Sequence, residues 1–133
     1  MSITEASITE VLVCTTCRPT GNTRDLPAAG QALLEAVEEA ALSNDAGLRV
    51  RGIACMSGCP RACTVALQAP GKHTYYFGDL SADAESAAQV LACAQLHRAS
   101  SDGSMQRNDR PERLRGGILA KLPPFAGRLE GST

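Results

Sequence analysis

Five of the six cysteines lie in two short segments of the chain, and this clustering constrains the fold more than any other feature. The first segment contains Cys14 and Cys17, and the second contains Cys55, Cys59 and Cys63. Each segment directly follows a run of strand-forming residues and is accompanied by glycine and proline. Thiols gathered in two loops predict a shared site, provided that the fold brings those loops together.

The residue pattern around the two cysteine segments predicts a β-α-β unit. Residues 9–14 and 48–55 fit two strands, and residues 27–42 fit a helix with an apolar stripe at 3.6-residue spacing. A β-α-β crossover is right-handed and pairs its two strands in parallel. Because the carboxyl ends of parallel strands meet at one edge of a sheet, we expect the two cysteine segments to converge there.

The following residues add a hairpin and a second helix. The predicted strands are residues 64–69 and 74–78, and the predicted helix is residues 82–98. Pro70 and Gly71 favour the turn between the strands, and Ser81 is expected to cap the helix. The order β-α-β-β-β-α predicts an α/β fold of the thioredoxin type, built on a four-stranded mixed sheet.

The balance of basic and acidic residues changes near residue 100. Residues 98–133 contain seven Lys or Arg against four Asp or Glu, whereas the whole chain contains 13 against 14. We therefore divide it into a thioredoxin-like domain at residues 8–99 and a linker with a basic C-terminal tail at residues 100–133. Within the tail, residues 114–122 are apolar enough to dock on a protein surface.

Composition and charge argue against several classes of function. With 44% hydrophobic residues and a net charge of −1, the chain fits a globular protein that binds neither nucleic acid nor membrane. The N-terminus has no basic region and no long apolar run, which favours a cytoplasmic location, where thiols stay reduced.

His73 and His97 are expected at the surface, away from any nucleophile, so we expect no enzyme activity.

Several roles are open to the cysteines. An iron–sulfur cluster needs four thiolates, and the two segments together supply five. A zinc site is a second option because Cys14-x2-Cys17 is a good half-site, although the second segment lacks the usual x2 spacing. A dithiol oxidoreductase would use Cys14 and Cys17 alone and would leave the second segment unexplained. Cys93, in the middle of the last predicted helix, fits a core residue.

Several motifs resemble those of the thioredoxin-like [2Fe–2S] ferredoxins. They are Val11-Leu-Val-Cys14, Arg18-Pro-x-Gly21, Cys55-x3-Cys59, the turn at Pro70-Gly71 and the strand Tyr75-Tyr76-Phe77-Gly78. Residues 10–98 also resemble a bacterial family of small predicted metal-binding proteins that are similar to those ferredoxins. Members of that family are often associated with cobalamin-synthesis genes, so the resemblance implies a partner in corrinoid or cobalt metabolism.

The ferredoxin resemblance implies a [2Fe–2S] cluster, electron transfer and a homodimer. Cys14, Cys55 and Cys59 match ligands of those ferredoxins. Their remaining ligand lies further along the first loop, where this chain has residues 28–30 and no cysteine. Cys17 is the nearby replacement, and Cys63 is a second candidate.

The resulting hypothesis is an intracellular electron carrier that binds a [2Fe–2S] cluster and serves a redox partner protein. The predicted ligands are Cys14, Cys17, Cys55 and Cys59, with Cys63 as an alternate or auxiliary ligand. The competing hypothesis is a metal-binding or delivery module in which the same cysteines hold zinc or cobalt without redox turnover.

Overall fold

The computed structural model describes residues 8–17, 28–42, 47–56 and 61–124. The strands are β1 (Thr9–Cys14), β2 (Leu48–Ile53), β3 (Val65–Gln68), β4 (Thr74–Phe77) and β5 (Ile118–Leu122). The helices are α1 (Ala29–Ala41) and α2 (Ala84–Ala99), and two short 3-10 helices span Arg107–Asp109 and Glu112–Leu114. The β-α-β-β-β-α order expected from the sequence is present, and one strand follows it.

The strands form one mixed sheet in the order β2-β1-β3-β4-β5. β1 and β2 are parallel, as the β-α-β unit requires, and every other neighbouring pair is antiparallel. The sheet therefore has five strands rather than the four expected. The additional strand, β5, lies in the segment that the sequence assigned to the linker and tail, and it pairs with the free edge of β4.

The two helices form a single layer against the sheet. α1 packs on α2, β1 and β2, and α2 also reaches β1, β2 and β3. Alternate residues of the strands point towards this layer and are essentially inaccessible to solvent: Val11, Val13, Val65, Leu67, Tyr75 and Phe77. They share one apolar core with side chains of both helices. No helix among the described residues is long and apolar enough to cross a membrane.

Residues 110–115 are held against the N-terminal half of α2. The Arg113 guanidinium donates to Asp83 Oδ1 at 2.9 Å and to Ser86 Oγ at 2.7 Å. Leu114 beside it is buried in the core. Asp83 is also the N-cap of α2, because its Oδ1 accepts a hydrogen bond from the Ser86 backbone N–H at 2.8 Å. The expectation that Ser81 caps this helix is therefore wrong by two residues.

His97 is completely buried, so the expectation of a surface position is wrong for this residue. Its Nε2 lies 2.7 Å from the backbone oxygen of His73, and its Nδ1 lies 2.8 Å from Thr9 Oγ1. A carbonyl oxygen only accepts hydrogen bonds, so Nε2 carries a proton, and in the neutral ring Nδ1 accepts from the Thr9 hydroxyl. Complete burial between α2 and β1 favours this neutral form over the charged one.

We expect this buried histidine to make stability fall in mildly acidic solution. Burial lowers the pKa of His97 below its usual value, whereas in the unfolded chain it titrates near about 6.5. The unfolded state therefore takes up the proton first, and the free energy of unfolding decreases as pH falls from about 6.5 towards the lower folded pKa. Urea unfolding at pH 7.5 and 5.5 measures the change. His97→Gln should flatten the pH dependence, and an equally steep dependence in that variant would contradict the assignment.

Candidate metal centre

Parallel pairing of β1 and β2 brings the Cys14–Cys17 turn and the residues around Cys55 to one edge of the sheet. Cys14 ends β1 directly opposite Ile53, which ends β2. Beyond the strands, the Thr15 backbone N–H donates to Ile53 O at 2.8 Å, and the Thr16 hydroxyl donates to Ala54 O. The turn that carries Cys14 and Cys17 therefore lies beside the residues that lead into Cys55.

The segment around Cys63 reaches the same edge from the other side of β1. The Cys14 backbone N–H donates to Thr64 O at 3.2 Å. Cys63 itself exchanges two backbone hydrogen bonds with Leu80, at 3.1 and 3.2 Å. Arg61 forms a further link, because its Nε lies 3.0 Å from both carboxylate oxygens of Asp79. These contacts hold the start of β3 against the residues that follow β4.

The first turn of α1 packs directly on the Cys14–Cys17 turn. The Gly30 backbone N–H donates to Cys17 O at 3.0 Å. A Cβ atom at Gly30 would lie only 1.9 Å from Cys14 O, so only glycine allows this approach. The N-terminus of a helix favours nearby negative charge, and this packing places it beside two potential thiolates.

The four described cysteines of the two segments differ in exposure. Cys14, Cys17 and Cys63 are completely buried, whereas Cys55 is exposed. None of these four forms a disulfide. Cys59 lies outside the described residues, so its predicted role stays a prediction.

The buried thiols also differ in acidity. Burial raises the pKa of Cys14, but hydrogen bonds from the Cys17 thiol and the backbone of Met56 and Thr16 outweigh it, and the net pKa is lowered. Burial and the neighbouring Cys14 raise the pKa of Cys17. Burial and the charges of Cys17 and Cys14 raise the pKa of Cys63 to about 11. Cys14 is thus the thiol of this group that the fold most favours as a thiolate.

Two polar side chains that the sequence did not single out complete the site. Thr64 Oγ1 lies 3.5 Å from Cys17 Sγ, and the Tyr76 hydroxyl donates to Met56 O at 2.7 Å. Thr64 immediately precedes β3, and Tyr76 lies in β4. A threonine and a tyrosine in predicted strands are ordinary strand residues, so no sequence signal distinguishes them.

Within the described ranges, no three His, Cys, Asp or Glu side chains surround a point suited to a single metal ion. Cys14 and Cys17 share one turn, and the backbone segments that carry Cys55 and Cys63 lie beside that turn on the β2 side and the β3 side. Cys93 belongs to the core, as expected: it is completely buried in α2, and its Sγ contacts Met105 Sδ at 3.6 Å.

Among solved structures, this chain is similar to a thioredoxin-like [2Fe–2S] ferredoxin from Aquifex aeolicus. One structure of that protein matches with a TM-score of 0.56 and 14% identity, over 91% of this chain and 98% of the ferredoxin. A crystal structure of the wild-type ferredoxin matches with a TM-score of 0.52 and 16% identity, over 85% of this chain and 97% of the other. The expected thioredoxin-like α/β fold is thereby confirmed.

Sequence comparison assigns a family but no activity. No curated protein sequence matches this chain significantly. Residues 11–124 match a family model described as a protein of unknown function, DUF1636. The match covers the whole sheet except its first two strand residues, both helices and both cysteine segments. The chain therefore belongs to the DUF1636 family.

Proposed function

We propose that this protein is an electron carrier that binds a [2Fe–2S] cluster at the carboxyl edge of β1 and β2. The observation that carries the proposal is the convergence of the Cys14–Cys17 turn and Cys55 at this edge, against the N-terminus of α1. The shared fold with the thioredoxin-like [2Fe–2S] ferredoxin supports the same function.

The Cys14–Cys17 pair suits one iron of a cluster that contains two irons. In a [2Fe–2S] centre each iron takes two protein ligands, so the protein must supply two pairs of thiolates. Zinc instead requires four ligands around one ion. Cys14 and Cys17, both buried in one turn, form the first pair. We assign the second pair to Cys55 and Cys59, and Cys63 to an auxiliary position.

The surroundings of the first pair suit bound thiolates. The backbone of Met56 and Thr16 lowers the pKa of Cys14 by hydrogen bonding, and the N-terminus of α1 packs on the turn that carries both cysteines. When bound, the cluster supplies one-electron transfer, and exposed Cys55 marks the side on which a redox partner protein approaches. We propose this transfer as the role of the chain, without a catalytic reaction of its own.

Other functional expectations remain predictions. The homodimer and the link to cobalamin or cobalt metabolism rest on the family resemblance alone. The buried Cys14–Cys17 pair is also a good half-site for zinc or cobalt, so a non-redox metal module is the second candidate.

The visible absorption spectrum of protein purified without oxygen tests the proposal. We expect a red-brown protein whose sulfide-to-iron bands bleach on reduction by dithionite, with iron and acid-labile sulfide in equal amounts. Protein that shows no such bleachable bands after reconstitution with iron and sulfide, and that retains zinc or cobalt without sulfide, would replace the carrier by the metal module.

A further inference from the structure

We propose that Thr64 and Tyr76 are positioning residues for the cluster: the Thr64 hydroxyl donates a hydrogen bond to the Cys17 ligand, and Tyr76 holds the Cys55 segment in place. This inference rests on the proposed function, which it deepens by naming residues that set the reduction potential and the retention of iron.

Thr64 contacts both cysteines of the first pair. Its backbone oxygen accepts from the Cys14 N–H at 3.2 Å, and its Oγ1 lies 3.5 Å from Cys17 Sγ. The residue is completely buried, so no water competes for its hydroxyl. Thr64 thus ties the position of the Cys14 backbone to the orientation of the Cys17 side chain.

Tyr76 makes the corresponding contact to the second segment. Tyr76 lies in β4 opposite Ala66 of β3, on the face of the sheet away from the helices. Its hydroxyl donates to the backbone oxygen of Met56 at 2.7 Å. Met56 directly follows Cys55, which is exposed and belongs to no strand. The tyrosine hydroxyl therefore anchors a residue adjacent to the exposed ligand.

The state of the sulfur decides which group donates in the contact between Thr64 and Cys17. In the free thiol either Oγ1 or Sγ can be the donor, at a distance of 3.5 Å. A sulfur that binds iron has lost its proton, so the Thr64 hydroxyl is then the donor. A negatively charged Cys17 thiolate would be its preferred acceptor.

A hydrogen bond to a ligating sulfur affects the two redox states unequally. The donor withdraws electron density from the thiolate, which stabilises the more electron-rich reduced cluster and raises the reduction potential. Loss of the Thr64 hydroxyl should therefore lower the potential without removing a ligand. Loss of the Tyr76 hydroxyl should instead loosen the Cys55 segment and speed the release of iron.

The test compares cluster-loaded wild-type protein with Thr64→Val, Thr64→Ser and Tyr76→Phe. Spectroelectrochemical titration gives the midpoint potential, and transfer of iron to a chelator gives the release rate. We expect a lower potential in Thr64→Val at unchanged iron content, and a potential close to wild type in Thr64→Ser, which keeps the hydroxyl. We expect Tyr76→Phe to release iron several-fold faster than the matched control Tyr75→Phe, whose hydroxyl accepts from Met105 N–H elsewhere.

The outcomes separate this inference from the proposed function. Loaded Thr64→Val with the wild-type potential, or Tyr76→Phe that releases iron no faster than Tyr75→Phe, would overturn the corresponding half of the inference and leave the electron carrier intact. Should Thr64→Val fail to fold, Thr64→Ala provides the same loss of the hydroxyl. Wild-type protein that takes up neither iron nor sulfide would refute the carrier and this inference together.

Discussion

The Cys14→Ser variant is expected to lose its iron and sulfide almost completely, by about tenfold or more relative to wild type. Cys14 lies at the end of β1, completely buried, and its backbone N–H is bonded to Thr64 O. Its pKa is lowered in spite of burial. A serine hydroxyl is a much weaker iron ligand than a thiolate, and the rigid strand end lets no other side chain take the same place. Cys55→Ser should lose iron to a similar extent if the second pair begins there.

Two other cysteines supply the controls for this experiment. Cys93→Ala removes one thiol from the core, where burial raises its pKa to about 12, and should leave the iron content unchanged. Cys63→Ser should keep most of its iron if Cys63 is auxiliary. Wild-type iron content in Cys14→Ser, measured by chelator assay and sulfide analysis, would show that the ligand assignment is wrong. Loss of iron in Cys63→Ser with retention in Cys17→Ser would exchange the roles of those two residues.

The second large effect is expected from Gly30→Ala, which should destabilise the fold and the site together. The added Cβ would lie 1.9 Å from Cys14 O and 3.0 Å from Cys17 N, and both are backbone atoms that cannot rotate away. α1 must then shift from the cysteine turn and give up the hydrogen bond from Gly30 N–H to Cys17 O. Overpacking of this kind costs about 3 kcal/mol.

The measurements for Gly30→Ala are urea unfolding and iron content, each compared with Gly116→Ala. A Cβ at Gly116 meets no atom within 4 Å, so that variant changes the same residue type without a clash. We expect the Gly116 variant to match wild type and the Gly30 variant to unfold at lower urea and bind less iron. Equal stability of the two variants would mean that α1 does not approach the cysteine turn as closely as described.

The sequence anticipated the part of the site that depends on local pattern and chain order. Alternating and 3.6-residue apolar spacing located β1, β2 and both helices to within a few residues. A right-handed β-α-β crossover then placed Cys14 and Cys55 at one edge, because only the direction of the strands matters for that step. The sequence allowed Cys17 to be proposed as a ligand but did not predict which element it would lie against. The structure brings it beside the first turn of α1 through the hydrogen bond from Gly30 N–H.

Two of the expectations that failed, the absence of β5 and the surface position of His97, depended on distant contacts, whereas the misplaced cap of α2 was a local error of two residues. β5 was not expected because a short apolar run becomes a strand only when a free edge such as that of β4 is available. His97 was expected at the surface because a lone polar residue near a helix end gives no sign of burial. Its partners, Thr9 and the His73 backbone, are 88 and 24 residues away in the sequence.

The sequence by itself determined the order of the core elements, the parallel pairing of β1 with β2 and the end of these strands at which the cysteine segments meet. Only the tertiary structure decided which non-cysteine groups surround the thiols: Thr64 at Cys17, Tyr76 at Met56 and Gly30 at Cys14. The physical reason is range. The periodicity of a strand or helix depends on residues that are neighbours in the sequence. The contact between a hydroxyl and a sulfur depends instead on the register of strands and on the packing of a helix against a turn.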